Sequence, residues 1–308
     1  MSYFSQLLMT ALPRTVLPFF GYSLFGLSCL SCMLPASAQS YSVGYNINGQ
    51  AYIGDGSGDT NDPVQSIPFN PITVMQTTLT SPQLTTSISA DGGSAAILGY
   101  ATVSLGTLHT YSNYTASGSG GGEMIATPYF SDILTVTSAT LAAGTAVVLQ
   151  QTLVADDTIT LGNDYSFAYV GGYLSLDSYA DATRGSSLGS VTFADHSQDT
   201  YIHNVQGTVQ AYVGEQLYLF GNLGSTTGSS GVDYAGTTFA TGDAGDTAHF
   251  YIDSLTPGVS YTTASGQSYS LPAAVPEAST TVSFGLLLAF GMGGVVVAAR
   301  KKKAAASA

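Results

Sequence analysis

Thr127–Thr137 (TPYFSDILTVT) and Ala146–Ala155 (AVVLQQTLVA) are the most regular stretches of this chain. Both are rich in β-branched, aromatic and aliphatic residues and follow a period of two, the pattern of strands with one buried face. Between them, Leu141-Ala142-Ala143-Gly144-Thr145 reads as a hairpin or as a corner between two sheets. Upstream, similar segments are Tyr41–Asn48, Ile72–Leu79, Gln83–Ala90 and Ala95–Tyr111, the last with Ala101, Val103, Leu105 and Leu108 on its buried side. Downstream, Tyr165–Val170 and Tyr173–Tyr179 flank Gly171-Gly172, a short-loop signal. Thr200–Val205, Thr208–Val213 and Gln216–Phe220 follow, with Gly207 and Gly214 between them, and then Thr247–Ile252, Val259–Thr263 and Gln267–Leu271. Short strands recurring at roughly ten-residue spacing, with no sustained helical period, predict an all-β fold: an antiparallel β-sandwich, jelly-roll-like. No crossover helix is visible, which disfavours a parallel sheet. Asp55–Pro63 and Ser117–Gly122 read as loops, the second inside one domain and not a linker between two.

Composition agrees with strands. Charged residues are 8% of the 308, about a third of the usual share, whereas Gly 36 and Tyr 20 suit turns and sheets. The charge is unevenly placed. Between Gln39 and Ala274 eighteen acids face one cation, Arg184, a net charge of −17 with His neutral. Such a surface repels phosphate, so nucleic acid is excluded as a partner. Divalent cations and neutral sugars are not excluded. Both cysteines, Cys29 and Cys32, precede this region, which therefore has neither disulfide nor thiolate.

The two ends read as targeting segments. Residues 1–38 have Arg14, an apolar core over Val16–Leu34, and Ala36-Ser37-Ala38 as a small-x-small site, the pattern of a signal peptide cleaved after Ala38. At the other end, Val275-Pro276-Glu277-Ala278-Ser279-Thr280 leads into the uncharged run Thr281–Ala299, and Arg300-Lys301-Lys302-Lys303 follows. As a helix, the run spans roughly 28 Å, the thickness of a bilayer's hydrocarbon core. The basic stop keeps that end cytoplasmic, so the residues upstream lie outside.

Pro-Glu before a spanning helix and a basic cluster after it resembles the PEP-CTERM sorting signal of exopolysaccharide-producing Gram-negative bacteria. The resemblance covers residues 275–303, and Ala278 stands where the family has its second proline. It implies a signal peptide (1–38), an exported body (39–274) and a sorting signal (275–308) with its helix over 281–299 and basic stop over 300–303. It implies, as partners, the secretion machinery and an exosortase, a membrane transpeptidase-like enzyme that processes the chain near Pro276-Glu277. The destination would be the cell surface or an extracellular polysaccharide matrix, reached through a membrane-anchored precursor. Ser131–Thr145 and Phe250–Gly266 resemble phrases of such exported proteins without naming an activity.

Candidate chemistry in the body is sparse. Asp55, Asp59 and Asp62, with Gly56 and Gly58 to bend the chain, are weak Ca2+ candidates that lack the EF-hand spacing. Asp243 with Asp246, and Asp156 with Asp157, make a weaker case; beyond a loosely held Ca2+ no cofactor is expected. Of His109, His196, His203 and His249, no two share the spacing that would place them as ligands on one strand face. A zinc site would need a histidine to converge with aspartates from afar. No G-x-S-x-G elbow precedes a helix, and Ser119 and Ser230 read as loop residues. Glu123 and Glu215 are the body's two glutamates, and there is no tryptophan to form a sugar platform, which argues against a glycosidase and for a non-enzymatic protein. The expected role is structural or adhesive. A glycan-binding module would cluster tyrosines on one exposed patch, and a secreted hydrolase would gather acids and a histidine in a cleft. Asn113-Tyr114-Thr115 matches the N-glycosylation pattern.

Overall fold

The computed structural model describes residues 41–54, 64–68, 71–90, 92–163, 166–179, 187–229 and 234–272. Ala36 and Ala38, the acidic stretch with Asp55, Asp59 and Asp62, Arg184, and the sorting motif, apolar run and basic stop lie outside the described residues.

Among the described residues there is no helix. Strands are numbered in chain order. The first sheet runs β11 (Ser187–Asp195), β10 (Ser166–Ser178), β13 (Gln216–Ser229), β8 (Gly120–Ser138), β1 (Tyr41–Ile53) and β2 (Val64–Ile67). Off this path, β15 (Val259–Thr263) pairs with β8 and β3 (Ile72–Val74) with β1. The second sheet runs β12 (Asp199–Tyr212), β9 (Ala146–Leu161), β14 (Tyr234–Ser254), β7 (Thr107–Gly118), β6 (Gly93–Ser104) and β4 (Thr78–Thr80), and β5 (Leu84–Ala90) joins β6. All these pairings are antiparallel. The sheets stack face to face: β1 and β8 meet β6, β13 meets β7 and β14, β10 meets β9, and the edge strands β11 and β12 meet each other. This is the predicted all-β sandwich.

Alternation builds its core. In β8 the even positions Met124, Ala126, Phe130, Leu134 and Val136 point inward; in β9 the odd positions Val147, Leu149, Leu153, Ala155 and Ile159 do. Each large apolar side chain removed from water contributes about 1.5–3 kcal/mol. Phe130 meets Phe250 of the opposite sheet edge-on at 5.2 Å and stacks on Tyr269 at 5.9 Å. Small polar residues tie the layers together where they come closest. The Thr110 hydroxyl donates to the Ala126 carbonyl at 2.9 Å, and the Ser225 hydroxyl to that of Gly242 at 2.7 Å. Because β8 and β9 belong to different sheets, the 139–145 interval is a sandwich corner, turned at Gly144 (φ 81°).

Glycine is where sequence and structure differ most. Gly171-Gly172 is no loop, since β10 runs straight through it. Tyr169 covers the first and Phe193 the second, so that a Cβ at either would collide with a ring. Nor is Ser117–Gly122 a flexible loop. Ser119 alone turns, and Gly120, Gly121 and Gly122 pair with Ile53, Tyr52 and Ala51 of β1. The Tyr52 ring occupies the space a Gly121 side chain would need. Aromatic rings laid over cross-strand glycines reconcile a high tyrosine count with a high glycine count in one sheet protein.

Other departures follow from turns. The 95–111 stretch is two strands, because Leu105-Gly106 folds β7 back on β6 with Ser104 opposite Thr107 and Gly106 at φ 78°. That turn shifts the inward phase from odd to even, and Ala101, Val103, Leu105 and Leu108 are all buried as expected. Gly207 lies inside β12, whereas Gly214 is a true turn at φ 90°. The 72–79 stretch breaks into β3 and β4, which join different sheets. The 267–271 stretch forms no strand, although Tyr269 is buried. The first half of β11 and the first half of β14 are too rich in Gly, Ser and Thr for alternation to predict them.

Candidate functional site

Where the two edge strands meet, three polar side chains point into the sandwich. Asp157 is on β9, in phase with Leu153, Ala155 and Ile159. Asp195 ends β11, in phase with Val191 and Phe193, and His203 lies on β12, in phase with Tyr201 and Val205. The register places Tyr201 opposite Asp157 and His203 opposite Ala155, so β12 brings the imidazole alongside the carboxylate. His203 Nε2 is 2.6 Å from Asp195 Oδ2 and 3.5 Å from Asp157 Oδ2. The ligating atoms of the three residues lie within 4.8 Å of one another. The His203 ring is held flat against Phe193 at 4.1 Å, with Tyr201 at 6.1 Å on the same strand.

Asp157 is the unusual member. Its side chain is 0% exposed, against 15% for both Asp195 and His203. Beyond Asp195 and His203 themselves, neither of its carboxylate oxygens has a hydrogen-bond partner. Burial, the charge of Asp195, a shared-proton contact with that residue and the charge of Asp156 together push its carboxyl up to about 7. The charge of Asp195, after burial, also raises the Tyr169 hydroxyl. An enclosed carboxylate without an outside donor calls for a proton or a cation in the same space. A large substrate could not reach it. An ion could.

The other sequence candidates are dispersed. Asp156 and Asp157 are adjacent on one strand and therefore face opposite sides of the sheet, so they cannot share a Ca2+. Asp243 stands 3.6 Å from His109 on the outer face of the second sheet, beside the stacked rings of Tyr100 and Tyr111, while the Asp246 side chain lies outside the described residues. The charge of Asp243 adds to burial in raising both of those tyrosine hydroxyls. His196 packs against Tyr169, and His249 against Tyr251. Glu123 and Glu215 fall at opposite ends of β8, since Val136 donates its amide to the Glu215 carbonyl; thirteen residues of strand put them roughly 40 Å apart. They cannot act as a glycosidase pair. Asn113 turns its amide into the sheet, donating to Thr241 Oγ1 at 2.9 Å.

The sequence held the signal for the cluster. Extending the Ala146–Ala155 alternation by two residues puts Asp157 on the core side, and SVTFAD and YIHNV each carry one polar residue in apolar phase. Seeing the three meet requires the pairing of β9 with β12 and the contact of β12 with β11, which local pattern does not encode. No model of a known protein family matches the chain, and no curated protein matches it.

Proposed function

We propose that the protein is an exported structural or adhesive component of a bacterial surface or exopolysaccharide matrix, with no catalytic role. In this reading its jelly-roll-like sandwich is delivered by a signal helix and a C-terminal spanning helix. The observation that carries the reading is the order of Val275–Thr280, the uncharged run to Ala299 and Arg300–Lys303, which resembles an exosortase-processed PEP-CTERM signal. The structure supports an adhesive role through the outer face of β9 and β12. There Thr158 meets Thr200 at 3.2 Å and Gln150 donates to Gln206 at 2.9 Å, with Asn204, Thr208 and Gln210 exposed beside them. This ladder of hydroxyls and amides, which also carries Asp156 and the exposed Ile202, offers donors and acceptors to hydroxyl-rich polysaccharide.

Exchanging Pro276-Glu277 for Ala-Ala tests the sorting half. The variant should accumulate in the inner membrane while the parent protein reaches the surface and matrix fractions. Equal matrix delivery of both would sink the proposal. A glycan-binding module is the second reading, favoured by Tyr100 and Tyr111 stacked at 5.0 Å beside His109. Loss of matrix retention on changing both tyrosines to alanine, with export intact, would select it.

A further inference from the structure

We propose that Asp157, Asp195 and His203 form a binding site for one divalent transition-metal ion of the Zn2+ class. Three observations converge on it. The donor set is one imidazole nitrogen and two carboxylate oxygens, which suits zinc and its neighbours. Calcium instead wants six to eight oxygens and no nitrogen. The spacing is close to that of a bound ion. With metal–ligand bonds of about 2.0–2.2 Å, a tetrahedral centre separates neighbouring donors by about 3.4 Å. His203 Nε2 and Asp157 Oδ2 are already 3.5 Å apart, and the 2.6 Å pair with Asp195 has to open by less than about 1 Å. Asp195 ends its strand, where a side-chain rotation displaces little else.

The third observation points to the ion directly. Asp157 is fully enclosed and aimed at His203, and outside the cluster itself neither of its oxygens has a hydrogen-bond partner. A dication held by two carboxylates and a neutral histidine leaves no net charge at the site, whereas the pair of acids alone is excess negative charge in an apolar layer. Phe193 stacked on the imidazole fixes the direction of its lone pair. The exposed fraction of Asp195 and His203 lets water supply the fourth ligand. Because the ligands come from β9, β11 and β12, the ion would clasp the edge strand of one sheet to the edge strand of the other. It is a structural clasp closing one side of the sandwich.

Titration of the EDTA-stripped full-length protein with Zn2+ tests this. One equivalent should bind per chain and raise the melting temperature, and Co2+ in its place should give the visible bands of a four-coordinate centre. Asp157→Asn and His203→Gln should each weaken Zn2+ binding at least about tenfold. Asp243→Asn, on the outer face, should leave it unchanged. Ca2+ should give no comparable rise. Absence of stoichiometric Zn2+ binding by the parent protein would overturn the proposal whatever the variants do. So would binding that survives both Asp157→Asn and His203→Gln, which would place the ion on scattered surface acids. A variant that fails to fold leaves the Co2+ spectrum of the parent protein to decide.

Discussion

Asp132→Ala should destabilise the protein by about 3–5 kcal/mol, read as a lower urea midpoint with an unchanged slope. Asp132 is 0% exposed, yet its carboxylate is fully engaged. Oδ1 accepts the amides of Ile133 at 2.8 Å and Ser265 at 3.3 Å; Oδ2 accepts the hydroxyls of Tyr269, at 2.8 Å, and Ser265. Charge-assisted hydrogen bonds of this kind are the strong ones, and losing the acceptor leaves several buried donors unpaired. The bonds also fasten the segment after β15 to β8. Tyr269, whose hydroxyl burial and the Asp132 charge push well above the usual tyrosine range, stacks on Phe130 and accepts the Ile252 amide at 2.8 Å. Tyr269→Phe removes one of the four donors and should cost only about 1–2 kcal/mol. A loss under about 1 kcal/mol for Asp132→Ala would mean that the segment is not fastened in this way.

The second large effect is on pH. In EDTA, stability should fall as pH rises from about 4 to about 7. The sign follows from the Asp157 carboxyl, pushed from 3.8 to about 7 in the folded chain. Below the unfolded value both states hold the proton and Asp157 adds no penalty. Between the two values the folded state alone holds it, so each rise in pH weakens the fold. Above about 7 the full penalty is present. Asp195 on β11, His203 and Tyr201 on β12 and Asp156 beside it on β9 are the titratable groups that face or adjoin it. Asp157→Asn keeps the shape, removes the proton equilibrium and should flatten that part of the profile. General repulsion among the body's acids acts in the same direction. The variant separates the two, because only the Asp157 contribution disappears with it. A parent profile that is level, or that rises, from pH 4 to 7 would contradict the assignment.

How much of this was legible beforehand depends on the range of the interaction. Alternation marks β1, β5, β8 and β9, and the inward side of β6, because a strand with one buried face writes its own period into the sequence. Glycines 120, 121, 122, 171 and 172 mislead, because each is required by a close tertiary approach: the Tyr52, Tyr169 and Phe193 rings at Gly121, Gly171 and Gly172, and neighbouring backbone at Gly120 and Gly122. Leu105-Gly106 hides a hairpin for the converse reason: two residues suffice, and the apolar residues continue on the far side in the opposite phase. Asp157, Asp195 and His203 are each visible as a polar residue in apolar phase. That they meet depends on the sheet order, which is set by tertiary packing. Asp55, Asp59 and Asp62, the cation candidates grouped within one short stretch of chain, lie outside the described residues.

The most direct test of the export reading is the intact mass of the protein recovered from the cells that make it. The predicted result is loss of both residues 1–38 and the segment following Pro276-Glu277, leaving the sandwich free of its leader and its apolar run. A recovered protein that still carries residues 281–303 would contradict this and make the tail a permanent membrane anchor.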